Sequence, residues 1–289
     1  MKLKPLLFAL LAGTSASCGK NDLVETNYAL PAKFDKILLN MRNGRVYFWP
    51  DGSGQQLYQS DLTLETVKVA DYNSLLPPLA NISTSQGALM GVRKSDNVLL
   101  HLYQNLQSNT HEYIPFPDKM KGKALVQDRE TGQFWSIGMD DKVYFWNAQE
   151  GANSAWTPTA SVRYAKDIVV FNGIVSIIDR DDQKIYEYFH TSASGANLPT
   201  KGVWHSKGNL TAKQLAMNEG IGSLWFLDTK GQAYAYSNHW GTNFNAFHLT
   251  CNAKSLAVYG QLPYIISETD GFVYAGMNNN WLKAQLRPL

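Results

Sequence analysis

The stretch GSLWFLDTKGQAYAYSNHW, residues 222–240, sets two apolar runs on either side of a Lys230-Gly231 turn, with large aromatic side chains in both. Aromatic residues alternating with small or polar ones around a glycine turn predict two antiparallel strands. Five other stretches share this plan: ILLNMRNGRVYFW from Ile37, ALMGVRKSDNVLLHLY from Ala88, FWSIGMDDKVYFW from Phe134, IVSIIDRDDQKIYEYF from Ile174 and YIISETDGFVYAG from Tyr264. The hairpin is therefore one copy of a repeat.

The second strands of these hairpins centre on Tyr47, Leu100, Tyr144, Tyr186, Tyr234 and Tyr274, at intervals of 53, 44, 42, 48 and 40 residues. A four-stranded propeller blade takes about 40 to 50 residues. The longest interval contains Asn73 to Gly87, whose Pro- and Ser-containing sequence reads as an extended loop. Before four of the hairpins lie Lys123-Ala-Leu-Val, Lys166-Asp-Ile-Val-Val, Lys213-Gln-Leu-Ala-Met and Lys254-Ser-Leu-Ala-Val, placed as innermost strands. Outer strands are expected at Gln56-Leu-Tyr-Gln, Glu112-Tyr-Ile, Ser154-Ala-Trp-Thr, Gly202-Val-Trp-His, Asn245-Ala-Phe-His and Trp281-Leu-Lys-Ala. The expected fold is all-β, a six-bladed β-propeller of four-stranded antiparallel blades over residues 31–289. A β-sandwich or two smaller β domains is the alternative that strand content alone leaves open.

Composition agrees with many strands and tight turns: 44% hydrophobic and only 17% charged residues make an ordered core, and 12% aromatic residues with 22 glycines favour strands over helices. The run AKQLAMNEGIGSLWFLDTKGQAYAYSNHW, Ala212 to Trp240, resembles the tectonin-type (tachylectin-like) propeller repeat in its strand, glycine, Ser-Leu-Trp, Asp, turn, Tyr and closing Trp. The repeat from Ala253 follows the same plan with Tyr264 in place of the Trp, and the other four copies keep little beyond the hairpin. The resemblance implies carbohydrate recognition, including surface glycans or lipopolysaccharide, and carries over no individual binding residue.

At the N-terminus, Lys2 and Lys4 precede the apolar run Leu6 to Ala12 and the small residues Gly13 to Ser17, the three-part plan of an export signal over residues 1–17. Cys18 follows directly. The stretch resembles the lipobox of bacterial lipoproteins, with Ala16 and Ser17 fitting and Ser15 standing where that pattern has Leu. The resemblance implies lipidation of Cys18, residues 18–30 as a tether and an outer-membrane lipoprotein facing the periplasm or the cell surface; ordinary cleavage is the alternative. Lipidation leaves Cys251, the one other cysteine, unpaired, whereas an unmodified Cys18 is free to join it in a disulfide. Without Lys2 and Lys4 the 26 Lys+Arg become 24 against 24 Asp+Glu, so no global positive field favours nucleic acid. The only membrane contact expected is the N-terminal lipid, on a monomer.

No catalytic motif is present, and the histidines His101, His111, His190, His205, His239 and His248 stand singly, so neither an enzyme nor a metal or cofactor site is expected. Asp140-Asp141 and Asp179 to Gln183 could suggest calcium, but their spacing suits hairpin turns better. If Lys123, Lys166, Lys213 and Lys254 each begin an inner strand, ring closure gathers them at the channel mouth as candidate contacts for an anionic glycan or peptide. Trp135, Trp225 and Trp281 are expected in the core, and Trp204 and Trp240 are candidates for stacking on a sugar. The expected function is a non-catalytic binding module for an envelope glycan, or alternatively a scaffold for an envelope protein.

Overall fold

The computed structural model describes residues 34–40, 44–50, 58–62, 64, 66–69, 77–85, 88–105, 110–146, 155–190, 200–218, 220–236, 244–247, 249, 251–260, 262–277, 280–283 and 287–288. The export signal, Cys18 and the tether lie outside them. Among the described residues every regular element is a strand.

The first sheet holds β1 (Phe34–Asn40), β2 (Arg45–Pro50), β3 (Tyr58–Asp61) and β4 (Thr66–Val69), and the second β5 (Leu79–Ser85), β6 (Ala88–Arg93), β7 (Leu99–Asn105) and β8 (Thr110–Pro115). The third holds β9 (Gly122–Gln127), β10 (Phe134–Gly138), β11 (Val143–Trp146) and β12 (Trp156–Pro158). The fourth has seven strands: β13 (Ala165–Phe171), β14 (Ile174–Asp179), β15 (Lys184–Phe189), β16 (Trp204–Asn218), β17 (Ser223–Asp228), β18 (Ala233–Tyr236) and β19 (Phe244–Phe247). The fifth holds β20 (Ala253–Tyr259), β21 (Leu262–Ser267), β22 (Val273–Met277) and β23 (Asn280–Lys283). A last strand, β24 (Arg287–Pro288), returns to the first sheet and runs parallel to β4, whereas consecutive strands within the sheets are antiparallel.

Turn chemistry explains the recurring hairpins. In the β10–β11, β14–β15 and β21–β22 turns, Asp140, Asp182 and Asp270 each accept the amide two residues on through Oδ1 and a tyrosine hydroxyl four residues on through Oδ2, from Tyr144, Tyr186 and Tyr274. In the β17–β18 turn Asp228 caps from two positions earlier, its Oδ1 accepting the Lys230 and Gln232 amides and its Oδ2 the Tyr234 hydroxyl six residues on. Asp96 keeps the amide bond to Val98, but Leu100 has no hydroxyl, and Arg93 closes the β6–β7 turn with two 2.8 Å bonds to the carboxylate. Asn97, Asp141, Gln183, Gly231 and Gly271 take the left-handed conformation three residues before each of these positions. Of the aspartates suggestive of calcium, Asp140, Asp179 and Asp182 are thus turn caps, while Asp141 pairs with Lys123 and Arg180 and Asp181 with Arg180.

Three sequence expectations are corrected here. The Ile37 hairpin is β1–β2, so Tyr47 lies on a second strand while its supposed counterparts lie on third strands. Residues 73–87 are not all loop, because β5 occupies Leu79–Ser85, and Gln56-Leu-Tyr-Gln overlaps the third strand β3. A truer phase marker is a bulge near the start of β1, β5, β9, β13, the second half of β16, and β20, which leaves Asp35, Ala80, Lys123, Lys166, Lys213 and Lys254 as the extra residues. These positions are 45, 43, 43, 47 and 41 residues apart, a more even period than the tyrosines show.

Burial follows the same circuit. Tyr47 packs with Leu79 and Leu89, joining the first sheet to the second, and Leu99 and Phe116 pack with Leu125 and Trp146, joining the second to the third. Trp135 meets Ile168 and Ile177, Ile185 meets Phe226 within the seven-stranded sheet, and Trp225 meets Leu256 and Ile265. Finally Phe34 and Phe48 pack against Tyr264 and Ile266, so the last sheet closes onto the first. Trp135 and Trp225 are core residues as expected; the side chain of Trp281 lies outside the described set.

One ion pair is sealed within this core. Lys207, from the first half of β16, lies 3.2 Å from Glu187 on β15, each with about a twentieth or less of its side chain exposed, and its ammonium faces the Tyr236 ring at 4.7 Å. Burial raises the Glu187 carboxyl above its ordinary range, and Lys207 opposes that rise. Glu187→Leu strands the lysine and is expected to cost about 3–5 kcal/mol in urea unfolding, with the Glu187→Leu/Lys207→Met pair recovering most of the loss.

Candidate functional site

Six inner strand segments line a cavity of about 1030 Å³, at the upper limit for small-molecule sites. Because side chains alternate along a strand, the lining falls into tiers. At the mouth are the bulge residues Asp35, Ala80, Lys166, Lys213 and Lys254. One residue further in comes a belt of Lys36, Asn81, Ala124, Asp167, Gln214 and Ser255, and two residues beyond that Leu38, Ser83, Val126, Val169, Ala216 and Ala257. The interior passes from charged, to polar, to mostly apolar.

The belt joins neighbouring inner strands. Lys36 Nζ donates to Asn81 Oδ1 at 2.7 Å, and Asn81 Nδ2 donates to the Lys123 carbonyl at 3.0 Å. Asp167 Oδ2 accepts the Leu215 amide at 2.7 Å, and Oδ1 accepts the Ile168 amide at 3.0 Å. The Gln214 side chain brackets Leu256, accepting its amide at 3.0 Å and donating to its carbonyl at 3.1 Å, while Ser255 Oγ accepts the Ile37 amide at 3.2 Å. Enclosure lowers the Lys36 ammonium below the ordinary lysine range, opposed by the field of Asp167. It likewise raises the Asp167 carboxyl, opposed by the Leu215 amide bond and then by Lys36.

The four lysines singled out in the sequence occupy equivalent bulges, and three of them line the cavity. Lys123 instead pairs with Asp141, which also receives Arg180 at 3.0 Å. Lys213 lies 4.0 Å from Glu268, and Lys254 pairs with Asp35. Lys166 has no ion pair among the described residues, which makes it the freest cation of the four. Trp204 is half-buried, packs on Tyr188 at 5.1 Å and donates its indole N–H to the Ser161 carbonyl at 2.9 Å, away from the cavity lining. Trp240 lies outside the described residues. Cys251, expected to be an unpaired thiol if Cys18 is lipidated, is disulfide-bonded and packs at the edge of the Trp225 cluster.

Sequence reasoning missed Lys36 and the belt residues Asn81, Asp167, Gln214 and Ser255. The available signal was a polar side chain directly after five of the six bulge positions, as in Lys166-Asp-Ile-Val-Val and Lys213-Gln-Leu-Ala-Met, with Ala124 the exception.

Asp167 gives the belt a pH signature. Its folded-state pKa lies above the unfolded value, so its contribution to stability is complete below about pH 4 and is lost as pH rises through the folded-state pKa. Asp167→Asn lacks this loss, and its melting temperature relative to wild type is expected to rise between pH 4 and pH 7 in thermal scans.

Neither a protein-family model nor a curated protein sequence matches the chain. Its structure is similar to that of the SapL1 lectin solved in complex with alpha methyl fucoside, with a TM-score of 0.57 at 12% identity over 88% of this chain and 96% of that one. It is similar also to a luciferin-regenerating enzyme, with a TM-score of 0.53 at 11% identity over 89% and 96%, and to the Cps50 (Swd1) β-propeller domain of Myceliophteria thermophila, with a TM-score of 0.50 at 12% identity over 89% and 98%. Identities this low speak to fold and not to activity. With its antiparallel sheets packed in a closed circuit around an axial cavity, the chain has a β-propeller fold.

Proposed function

We propose that the protein is a six-bladed propeller acting as an exported, non-catalytic binding module of the bacterial cell envelope, which recognises an acidic surface or envelope carbohydrate at the cavity mouth. The blade count rests on β16: residues from Trp204 to Thr211 pair with β15, whereas residues from Ala212 pair with β17, so one continuous strand serves as the outer strand of one blade and the inner strand of the next. The observation that carries the binding reading is the axial cavity with lysines at its mouth, above all Lys166, which has no ion pair among the described residues. The lectin among the similar structures and the tectonin-like run from Ala212 agree with a glycan ligand.

A protein partner is favoured by a different feature. Met139, Val162 and Tyr164 expose apolar surface around the Lys142–Tyr164 bridge, an arrangement suited to a scaffold subunit. Glycan-array binding separates the two. A Lys123→Ala/Lys166→Ala/Lys213→Ala/Lys254→Ala protein is expected to bind acidic glycans roughly tenfold or more weakly, and salt is expected to weaken the wild type. Co-purification of a stoichiometric envelope protein without glycan binding would instead establish the scaffold.

For the N-terminus we propose lipid attachment at Cys18, on the strength of the lipobox-like run. The oxidised state of Cys251 favours a second arrangement, because Cys18 is the only other cysteine in the chain. One sulfur cannot carry both a thioether and a disulfide. Intact mass under non-reducing conditions decides: acyl mass is expected for the anchor, and a mass two hydrogens below the reduced, unacylated chain overturns it.

A further inference from the structure

The belt inside the cavity holds two opposite charges that the fold leaves incompletely matched. Lys36 uses one ammonium N–H on Asn81 and makes no other hydrogen bond among the described residues. Asp167 accepts one backbone amide on each oxygen, and a carboxylate has about four acceptor sites, so acceptor capacity remains. The two residues stand on β1 and β13, three inner strands apart whichever way the circuit is followed, and both line the cavity. Opposite charges held apart in an enclosed space each carry a desolvation cost that a ligand of complementary charge would offset. A ligand with one charge would answer only one of them.

The tier beyond the belt adds a second requirement. Leu38, Val126, Val169, Ala216 and Ala257 make that level apolar except at Ser83, whose hydroxyl is already bonded to the Leu125 carbonyl. A molecule held at the belt by its charged groups would therefore rest any remaining part against hydrocarbon. We propose that the axial cavity binds a small amino-acid-type zwitterion with an apolar side chain, its carboxylate received by Lys36, its ammonium by Asp167 and its side chain by the tier of Leu38, Val126 and Val169. The mouth lysines do not define this site, since Lys254 and Lys213 face Asp35 and Glu268. Failure of glycan binding at the mouth and failure of zwitterion binding at the belt are therefore separate outcomes.

Titration calorimetry of the purified chain with leucine, methionine and phenylalanine tests the proposal, together with 4-methylpentanoate and 3-methylbutylamine, which keep the leucine side chain and only one of its charges. At least one of the amino acids is expected to bind, with leucine about 10- to 100-fold tighter than either single-charge analogue if leucine is the one preferred, and the corresponding acid and amine of methionine or phenylalanine behaving likewise otherwise. Lys36→Met is expected to abolish the advantage of the zwitterion over the amine, and Asp167→Asn its advantage over the acid. Absence of binding by all three amino acids at millimolar concentration, equal binding by the single-charge analogues, or unchanged binding in both folded variants would overturn the proposal. The analogue series on the wild-type chain decides alone should either variant fail to fold.

Discussion

Each inner strand of this ring has a neighbour on one edge only, and its other edge turns toward the axis with backbone groups that need partners. The fold meets that requirement with side chains from the adjacent inner strand. Asp167 takes the Leu215 amide, Gln214 takes both polar groups of Leu256, Ser255 takes the Ile37 amide, Asn81 donates to the Lys123 carbonyl and Thr84 to the Leu39 carbonyl. A repeated bulge just before the belt sets the register, because one extra residue reverses which face each following side chain occupies. The apolar packing between sheets and the chemistry of the cavity both depend on this arrangement.

The same device places polar groups in an enclosed space. A propeller whose inner edges were bonded by backbone alone would have no reason to carry an aspartate or a glutamine halfway along its axis. Here Asp167 serves a backbone amide and at the same time faces a volume shared with Lys36, so structural satisfaction and ligand chemistry fall on one residue. At the step from β9 to β13, Ala124 takes the belt position, and its side chain can make no such bond. There the sheets are held instead by Trp135 packed on Ile168 and Ile177, and by Asp128 bonding the Asn172 and Gly173 amides across the interface.

Much of this was legible in the chain. The aspartate–tyrosine turns recur because a tight hairpin needs a cap and a left-handed residue, and both requirements are local. Outer strands at Glu112, Trp156, Trp204, Phe247 and Trp281 were found in the same way, from short apolar runs between polar loops. The phase error at Tyr47 arose because a hairpin of strands one and two looks like a hairpin of strands two and three when only local pattern is read. β5 was missed because LANISTS is polar on one side, a pattern that suits a channel-lining strand and a surface loop equally well.

Sequence by itself determined the repeat, the strand content, the turn caps and the equivalence of Lys123, Lys166, Lys213 and Lys254, since these depend on residues a few positions apart. Tertiary structure alone decided that three of those lysines face carboxylates, that Trp204 is held by Ser161 and Tyr188, and that Lys36 and Asp167 share one cavity. The meeting of Lys254 with Asp35 and the sharing of one cavity by Lys36 and Asp167 depend on ring closure, which brings together residues more than a hundred positions apart, while the other contacts depend on how strands pack within and between neighbouring sheets; no local spacing encodes which charge will meet which.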